Sequence, residues 1–315
     1  MQIDQMVQKA VSVTAQHAAI INKVWAADLE VNLRRRAVLQ QAVVEVTDLL
    51  GTSGDTVYVP TLPDIAAAAT LTEGTDMVPI ALTASTNVAL VPVEVGTSVA
   101  ISRKALDRIK YDGMSAIVDR LAYAFSLYLE GGIAALWNIV VPGTATKFSA
   151  VYPNAHTTAN IVAGDTMSSK LILAAVAQLE FANNFPFPDG FWRLFINPQQ
   201  YADLLVDADV RNDLRYGSPE TMLHGEVGVL HNCRIIKSNN LVAGAEGASS
   251  LVPTRKALLF APRAAAIAWK RRPEVMADPT VYDFGRRRQF GVTADLDIQP
   301  LNAPRALTVV SASVL

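Results

Sequence analysis

The hydrophobic pattern along the chain changes period several times. Between residues 84 and 102, "ASTNVALVPVEVGTSVAIS", apolar residues take the odd positions Val91, Val93, Val95, Val99 and Ile101. Thr97 keeps the same step, and Glu94, Gly96 and Ser98 lie between. That is the two-residue period of a strand, sustained beyond the usual five or six residues. Pro92 marks an edge position or a break. At about 3.3 Å per residue the stretch would reach roughly 60 Å, more than the roughly 50 Å diameter of a compact chain of this size. Upstream, "DTVYVPTLPDIAAAATLTEGTDMV" at 55–78 opens as a strand on Val57 and Val59, then loses all periodicity. Together the two predict a long arm in which the strand at 56–60 is the partner of the later one. A two-stranded ribbon is marginal by itself in water, so the arm is expected to lie on another surface, most economically that of a neighbouring subunit.

Other stretches have helical period. Ile20, Ile21, Val24, Leu29, Leu33 and Val38 fall loosely at three- and four-residue steps, predicting helix across residues 1–50 up to the break "GTSG". After Asp112, a plausible N-cap, Met114, Ile117, Val118, Leu121, Phe125 and Tyr128 form an apolar stripe, with Asp119, Ser126 and Glu130 facing away. This predicts the longest helix, weakened at Gly131-Gly132 by about 1 kcal/mol per glycine. Residues 165–183 form a second amphipathic helix on Leu171, Ala175 and Leu179, stopped by "NNFPFP". "FWRLFI" at 191–196 reads as a strand. Asn197-Pro198 then sets an N-cap and a first-turn proline for a helix over "PQQYADLL". Residues 225–241 are a turn-rich strand region, "GAEGASS" a loop, and "KALLFA" at 256–261 a buried strand. Three more strands are predicted at 264–270, 289–298 and 305–311. This order lacks regular β–α alternation and predicts an α+β fold without internal repeats.

Composition changes the picture in one respect. The 315 residues are 51% hydrophobic and only 18% charged, against about 25% charged in ordinary soluble chains. No window approaches the roughly 18 uninterrupted apolar residues of a spanning helix, and no signal pattern opens the chain. The apolar excess is accounted for by burial between subunits or by a large alanine-rich core. Cys233 is the only cysteine, so no intrachain disulfide can form and folding inside a cell is expected. The net charge of −2 gives no global attraction to nucleic acid or membrane.

Catalytic motifs are missing: no phosphate-binding glycine loop, no Gly-x-Ser-x-Gly elbow and no His-Glu-x-x-His. No cofactor or metal is expected, and the chain is read as a non-enzyme, with a soluble α+β enzyme kept as the rival from another class. His224, His231 and Cys233 would need a fourth ligand to hold zinc. Asp207, Asp209 and Asp213, flanked by Arg211 and Arg215, read equally well as solvated carboxylates. Charge placement says more. From residue 51 to 101 there is no lysine or arginine, but there are five acids, Asp55, Asp64, Glu73, Asp76 and Glu94. Nine of the 27 basic residues sit in three triplets: Arg34-Arg35-Arg36, Lys270-Arg271-Arg272 and Arg286-Arg287-Arg288. Three readings stand for the triplets: solvated surface, contact with nucleic acid, or pairing with the acidic arm of a neighbouring subunit.

The motifs "GDTVYVPTL", "LTEGTDM", "VEVGTSVAISRKALD", "LFINPQQYADLL", "GEVGVLHNCRIIKSNN" and "PEVMADPTVYDFGRRRQFGV" occur in this order across about 50–298. In that order the chain resembles the major capsid proteins of tailed bacteriophages, with the HK97-like fold. The resemblance implies an N-terminal arm over 1–50 and an extended β-hairpin E-loop over 51–101. It implies a peripheral domain over 102–159 with a spine helix at 112–137, an axial domain over 160–255, and return strands of the peripheral domain over 256–315. It also implies pentamers and hexamers tiling an icosahedral shell around double-stranded DNA, in a virion assembled in the host cytoplasm. Some members cross-link through an E-loop lysine; this E-loop has none, so noncovalent burial or decoration proteins are expected to hold the shell. No long acidic coiled-coil extension precedes residue 50, which implies a separate scaffolding protein or an already processed chain, together with a portal. Encapsulins, which resemble the same fold, are the nearer alternative.

Overall fold

The computed structural model describes residues 11–12, 37–61, 70, 86–108, 113–137, 149–210, 228–247, 251–278 and 283–313. Its strands are β1 (Val11–Ser12), β2 (Val44–Val46), β3 (Val57–Thr61), β4 (Thr86–Leu90), β5 (Val93–Ser102), β6 (Ser149–Val151), β7 (Trp192–Ile196), β8 (Val229–Leu230), β9 (Cys233–Lys237), β10 (Ala243–Glu246), β11 (Val252–Phe260), β12 (Ala265–Ala277), β13 (Arg287–Pro300) and β14 (Ala306–Ala312). Its α-helices are α1 (Arg103–Arg108), α2 (Gly113–Leu136), α3 (Ser169–Phe181) and α4 (Pro198–Val206).

The strands form two main sheets and one hairpin. The first sheet has the order β1-β5-β13-β12-β2, and the second has β6-β14-β11-β7-β9-β8, with β10 added beside β11. Among the described residues β3 pairs only with β4, antiparallel, from Val57 opposite Leu90 to Thr61 opposite Thr86. Sheets and helices are mixed without a repeating β–α unit, as the α+β reading expects.

Alternation along the strands explains the layers. On β12, Ile267 and Trp269 point into the main core while Ala266 and Ala268 point the other way. On β11, Leu258 and Phe260 face the main core, and Ala257 and Leu259 face a second core. Both faces of β11 are therefore covered, which is why "KALLFA" is continuously apolar. The main core is built around α2, where Leu121, Phe125, Leu129 and Ile133 fall at four-residue steps. At the end of α2, Trp137 meets Phe260 edge-on at 4.6 Å between ring centroids, and Phe260 meets Phe195 at 5.5 Å. α2 thereby bridges the two sheets. On the far side of the second sheet, α3 and α4 bury Leu171, Ile172, Ala175, Leu179, Tyr201 and Leu204 against Trp192, Leu194 and Ile196.

The local signals at α3 and α4 are as expected. Ser168 caps α3 by accepting from the Leu171 N–H, and Asn197 caps α4 with Gln200 in a reciprocal capping box. Asp112, the expected cap of α2, lies outside the described residues.

Several expectations are corrected. The segment 1–50 is not α-helical where it is described: Leu39–Ala42 is a single 3-10 turn and Val44–Val46 is a strand, in keeping with the β-branched run Val43, Val44, Val46. The long strand breaks at Val91-Pro92, and β4 and β5 take different partners, β3 and β13. The helix stripe is rotated, so Val118 and Tyr128 are exposed and Glu130 is fully buried. Glu130 is held inside because its carboxylate accepts from the Leu39 N–H at 2.7 Å and from Asn240 Nδ2 at 3.4 Å. Part of the expected loop "GAEGASS" is strand β10. β11 and β14 both belong to the second sheet, and only β12 and β13 return to the first.

Candidate assembly surfaces

The hairpin β3–β4 does not begin as a free arm. Leu90 is fully buried, and with Val57 and Val59 it covers the small face Ala266 and Ala268 of β12. The Val91 N–H donates to Asp297 Oδ2 at 2.9 Å and fixes the exit from the hairpin. The base thus lies on the chain's own first sheet, because alanines leave a shallow surface where a second layer of valines fits. Asp64, Glu73 and Asp76 lie outside the described residues, and Asp55 is exposed in the turn before β3.

Two of the sequence-predicted charges meet within the chain. Arg271 Nη2 donates to Glu94 Oε1 at 2.9 Å and to Asp295 Oδ1 at 3.1 Å. Register explains the meeting: β13 lies between β5 and β12, with Asp295 opposite Glu94 on one side and Arg271 on the other. The hydrogen bond to Glu94 and the charge of Asp295 raise the Arg271 pKa above its ordinary value. Glu94 therefore has a partner in its own chain. Arg272 lies 3.8 Å from Glu45 on β2, also in the same chain, and both are exposed. Lys270 is half-buried on β12. Arg34, Arg35 and Arg36 lie outside the described residues.

The third triplet joins residues that sequence reasoning did not single out. Arg287 and Arg288 stand opposite Ser102 and Ile101, and the Arg103 N–H donates to the Arg286 carbonyl at 2.8 Å. This brings exposed Arg103 and Lys104 of α1 beside exposed Arg286 and Arg288. Only the β5–β13 register reveals this basic patch, since 183 positions separate Arg103 from Arg286.

The remaining candidates for chemistry have structural roles. His231 Nε2 is 2.7 Å from Ser169 Oγ, and Cys233 is fully buried, with burial pushing its thiol up to about 12. A thiol so protonated is a poor nucleophile and metal ligand. Asp207 accepts from the Ser169 N–H at 2.7 Å at the start of α3, and Asp209 lies 3.7 Å from Lys170. Asp213 and His224 lie outside the described residues. No group of three or more His, Cys, Asp or Glu side chains among the described residues could hold a metal ion. No helix among them is long and apolar enough to cross a membrane.

What the surface offers is apolar area. Tyr58, Phe181, Phe185, Leu251 and Phe284 are each more than 60% exposed. Large side chains left in water in this way mark contact surfaces when they cluster; Phe181 ends α3 and Phe185 follows it four residues later.

No protein-family model matches the chain, and no curated protein matches it. Solved structures do. The capsid of Ralstonia phage GP4 superposes with a TM-score of 0.72 at 17% identity, covering 93% of this chain and 95% of that one. The Cyanophage Pam1 capsid asymmetric unit gives a TM-score of 0.72 at 16% identity, over 96% and 98%. The acid-stable capsid of Helicobacter pylori bacteriophage KHP30 gives 0.68 at 12% identity, over 96% and 98%. The chain has the fold of these phage capsid proteins along nearly its whole length.

Proposed function

We propose that this chain is the major capsid protein of a tailed bacteriophage, a structural protein that assembles through pentamers and hexamers into an icosahedral head around double-stranded DNA. The observation that carries the reading is the agreement with phage capsid structures over more than nine-tenths of both chains, at a TM-score of 0.72 for two of them. Three features of the molecule support it. The hairpin β3–β4 is anchored at its base on the first sheet, and the segment 51–101 to which it belongs is assigned as the E-loop, the acidic arm that reaches a neighbouring copy. The second sheet with α3 and α4 serves as the axial unit, and the first sheet with α2 as the peripheral one. The basic patch of Arg103, Lys104, Arg286 and Arg288 offers non-specific attraction to the phosphates of packaged DNA or to the acids of a neighbouring arm.

The role calls for surfaces and no catalytic group. Its partners are other copies of the chain, with a separate scaffolding protein, a portal and a decoration protein completing the head. Its place is the virion, after assembly in the host cytoplasm. The apolar excess of the sequence fits a protein whose subunit interfaces are buried on assembly.

Sedimentation velocity on the purified chain, alone and with a scaffolding protein, tests this reading. Particles of megadalton mass are expected in at least one of the two conditions. A sharp monomer or dimer in both, at low and high salt, would contradict it. The contents of the particles, nucleic acid or a protein cargo, separate a phage head from an encapsulin-type compartment.

A further inference from the structure

Residues 152–165 run from β6 towards α3 without adding a strand to the second sheet. They contribute little to either main core: Ile161 is the one large apolar side chain buried there, and it belongs to neither. The segment is held instead by two buried carboxylates. Asp165, 1% exposed, accepts from Asn154 Nδ2 at 2.9 Å and from the Val162 N–H at 2.8 Å, and lies 2.6 Å from His156 Nδ1. Its own carbonyl accepts from the Ala312 N–H of β14 at 2.7 Å. At the other end, Glu246 of β10, 6% exposed, accepts from the Tyr152 hydroxyl at 3.2 Å and pairs at 3.3 Å with Lys256 Nζ of β11, itself buried. The Gly247 N–H donates to the Thr158 carbonyl at 2.8 Å, and a Cβ on Gly247 would stand 2.6 Å from the Ile161 carbonyl oxygen. The segment therefore lies directly on the end of β10.

The segment is also strained. Asn154 and Ala155 both have left-handed backbone, φ 52° and 56°. That conformation is costly for an L-residue, and two in succession persist only where the surroundings hold them. Here the holder is Asp165 itself, through the Asn154 side chain. Asp165 faces His156 from its own segment and the Ala312 backbone from β14. Glu246 faces Lys256 from β11 and Tyr152 from the segment. Burial above all, with the Glu246 charge beside it, pushes the Tyr152 hydroxyl up to about 12, so it stays protonated and donates to that carboxylate. Burial would raise the Asp165 carboxyl, but the hydrogen bonds from Val162, His156 and Asn154 hold it below its ordinary range.

We propose that residues 152–165 are an acid-opened strap: when Asp165 and Glu246 take up protons, the strap lifts from β10 and β14 while both main cores stay folded. A protonated Asp165 loses its charge opposite His156 and one of its acceptor sites, which frees the strained turn at Asn154-Ala155. A protonated Glu246 leaves the Lys256 ammonium buried without a counter-charge, a strongly destabilising arrangement. Lifting the strap wets both groups and relaxes the turn. It exposes little apolar surface, so the opening is local and precedes unfolding of the cores. Because the Asp165 carboxyl is depressed, its hold is complete above about pH 4 and is lost as pH falls through the folded value. The strap does not depend on the capsid reading; under that reading it gives the second sheet one element that resets without unfolding the subunit.

Hydrogen exchange followed by mass spectrometry on the unassembled full chain tests it, with rates corrected for the intrinsic effect of pH. Between about pH 7 and pH 3 the amides of 152–165 and 243–247 are expected to lose protection by about tenfold or more, while those of α2 and of 257–260 keep theirs. Asp165→Asn combined with Glu246→Gln removes both charges at any pH and is expected to show the open strap already in neutral solution. Lys256→Met combined with Glu246→Leu replaces the buried pair by apolar side chains and is expected to keep 243–247 protected in acid. In the unmutated chain, protection over 152–165 that is unchanged in acid, or that falls in step with α2, would overturn the proposal whether or not any variant folds. Opening of 243–247 in the acid-treated K256M/E246L chain would overturn the part assigned to Glu246. The capsid reading is tested by sedimentation and survives each of these results.

Discussion

Asp165 shows how single side chains hold this molecule together. It is buried in the loop before α3, where its carboxylate accepts from Asn154 Nδ2 at 2.9 Å, the Val162 N–H at 2.8 Å and His156 Nδ1 at 2.6 Å. Its own carbonyl accepts from the Ala312 N–H at 2.7 Å, tying the loop to the last strand. Burial alone would raise its pKa, but the hydrogen bonds from Val162, His156 and Asn154 outweigh it and hold the carboxyl below its ordinary range. A carboxylate depressed in the folded state contributes stability above its unfolded pKa of about 3.9, and that contribution is lost as pH falls through the folded value. Asp165→Asn is therefore expected to lose about 1.5–3 kcal/mol at pH 7, with the gap to the unmutated chain closing below about pH 4. Urea unfolding of the unassembled chain at both pH values checks it, and a gap that widens in acid would refute the assignment. Glu130 gives a parallel case without the pH test. Glu130→Ala leaves the buried Leu39 N–H without its acceptor and should cost about 2–3 kcal/mol, whereas Glu130→Gln keeps one acceptor oxygen and should cost about 1 kcal/mol.

At the scale of elements, close approach between strands decides what can change. A Cβ on Gly96 would stand 2.8 Å from the Val292 carbonyl oxygen and 2.9 Å from Thr293 Cγ2. Gly96→Val should push β5 off β13 and destabilise the chain by about 2 kcal/mol or more. Gly131 in α2 has open space at its Cβ position, so Gly131→Ala should stabilise the unassembled chain by about 1 kcal/mol through helix propensity. Thermal melts of the two variants are expected to move in opposite directions. Elements with a local signature were legible in sequence. Asn197-Pro198 announced α4, the four-residue spacing of Leu121 and Phe125 announced α2, and the apolar run "KALLFA" announced a buried strand. What failed was non-local. Pro92 marked an edge position or a break, but nothing in the pattern showed that β4 and β5 belong to different sheets. A carboxylate on a helix reads as outward-facing until its buried donors are known, which is why Glu130 was misplaced. The candidate contact residues were legible only as charges. That Glu94 meets Arg271 in its own chain, and that Arg103 and Lys104 join the Arg286 run, follow from strand register across about 180 positions.

For the whole molecule, the exposed apolar side chains agree with the proposed role of a shell subunit. Two sheets are bridged by α2, the hairpin base is fixed to the first, and apolar side chains stand exposed at the end of α3 and at the tip of the β12–β13 ribbon. Exposed ion pairs contribute little to this picture. The bond between Arg271 and Glu94, 40% and 68% exposed, is expected to couple the two by under about 1 kcal/mol in a double-mutant cycle. Cohesion between copies is accordingly assigned to apolar burial, and assembly should survive salt that screens exposed charges. The measurement that tests this account most directly is electron microscopy of the fastest-sedimenting fraction, prepared with a scaffolding protein and held at high salt. Closed shells in which rings of five and six subunits can be counted are the predicted result. Discrete monomers or dimers, or only open sheets and tubes without five-fold vertices, would contradict it.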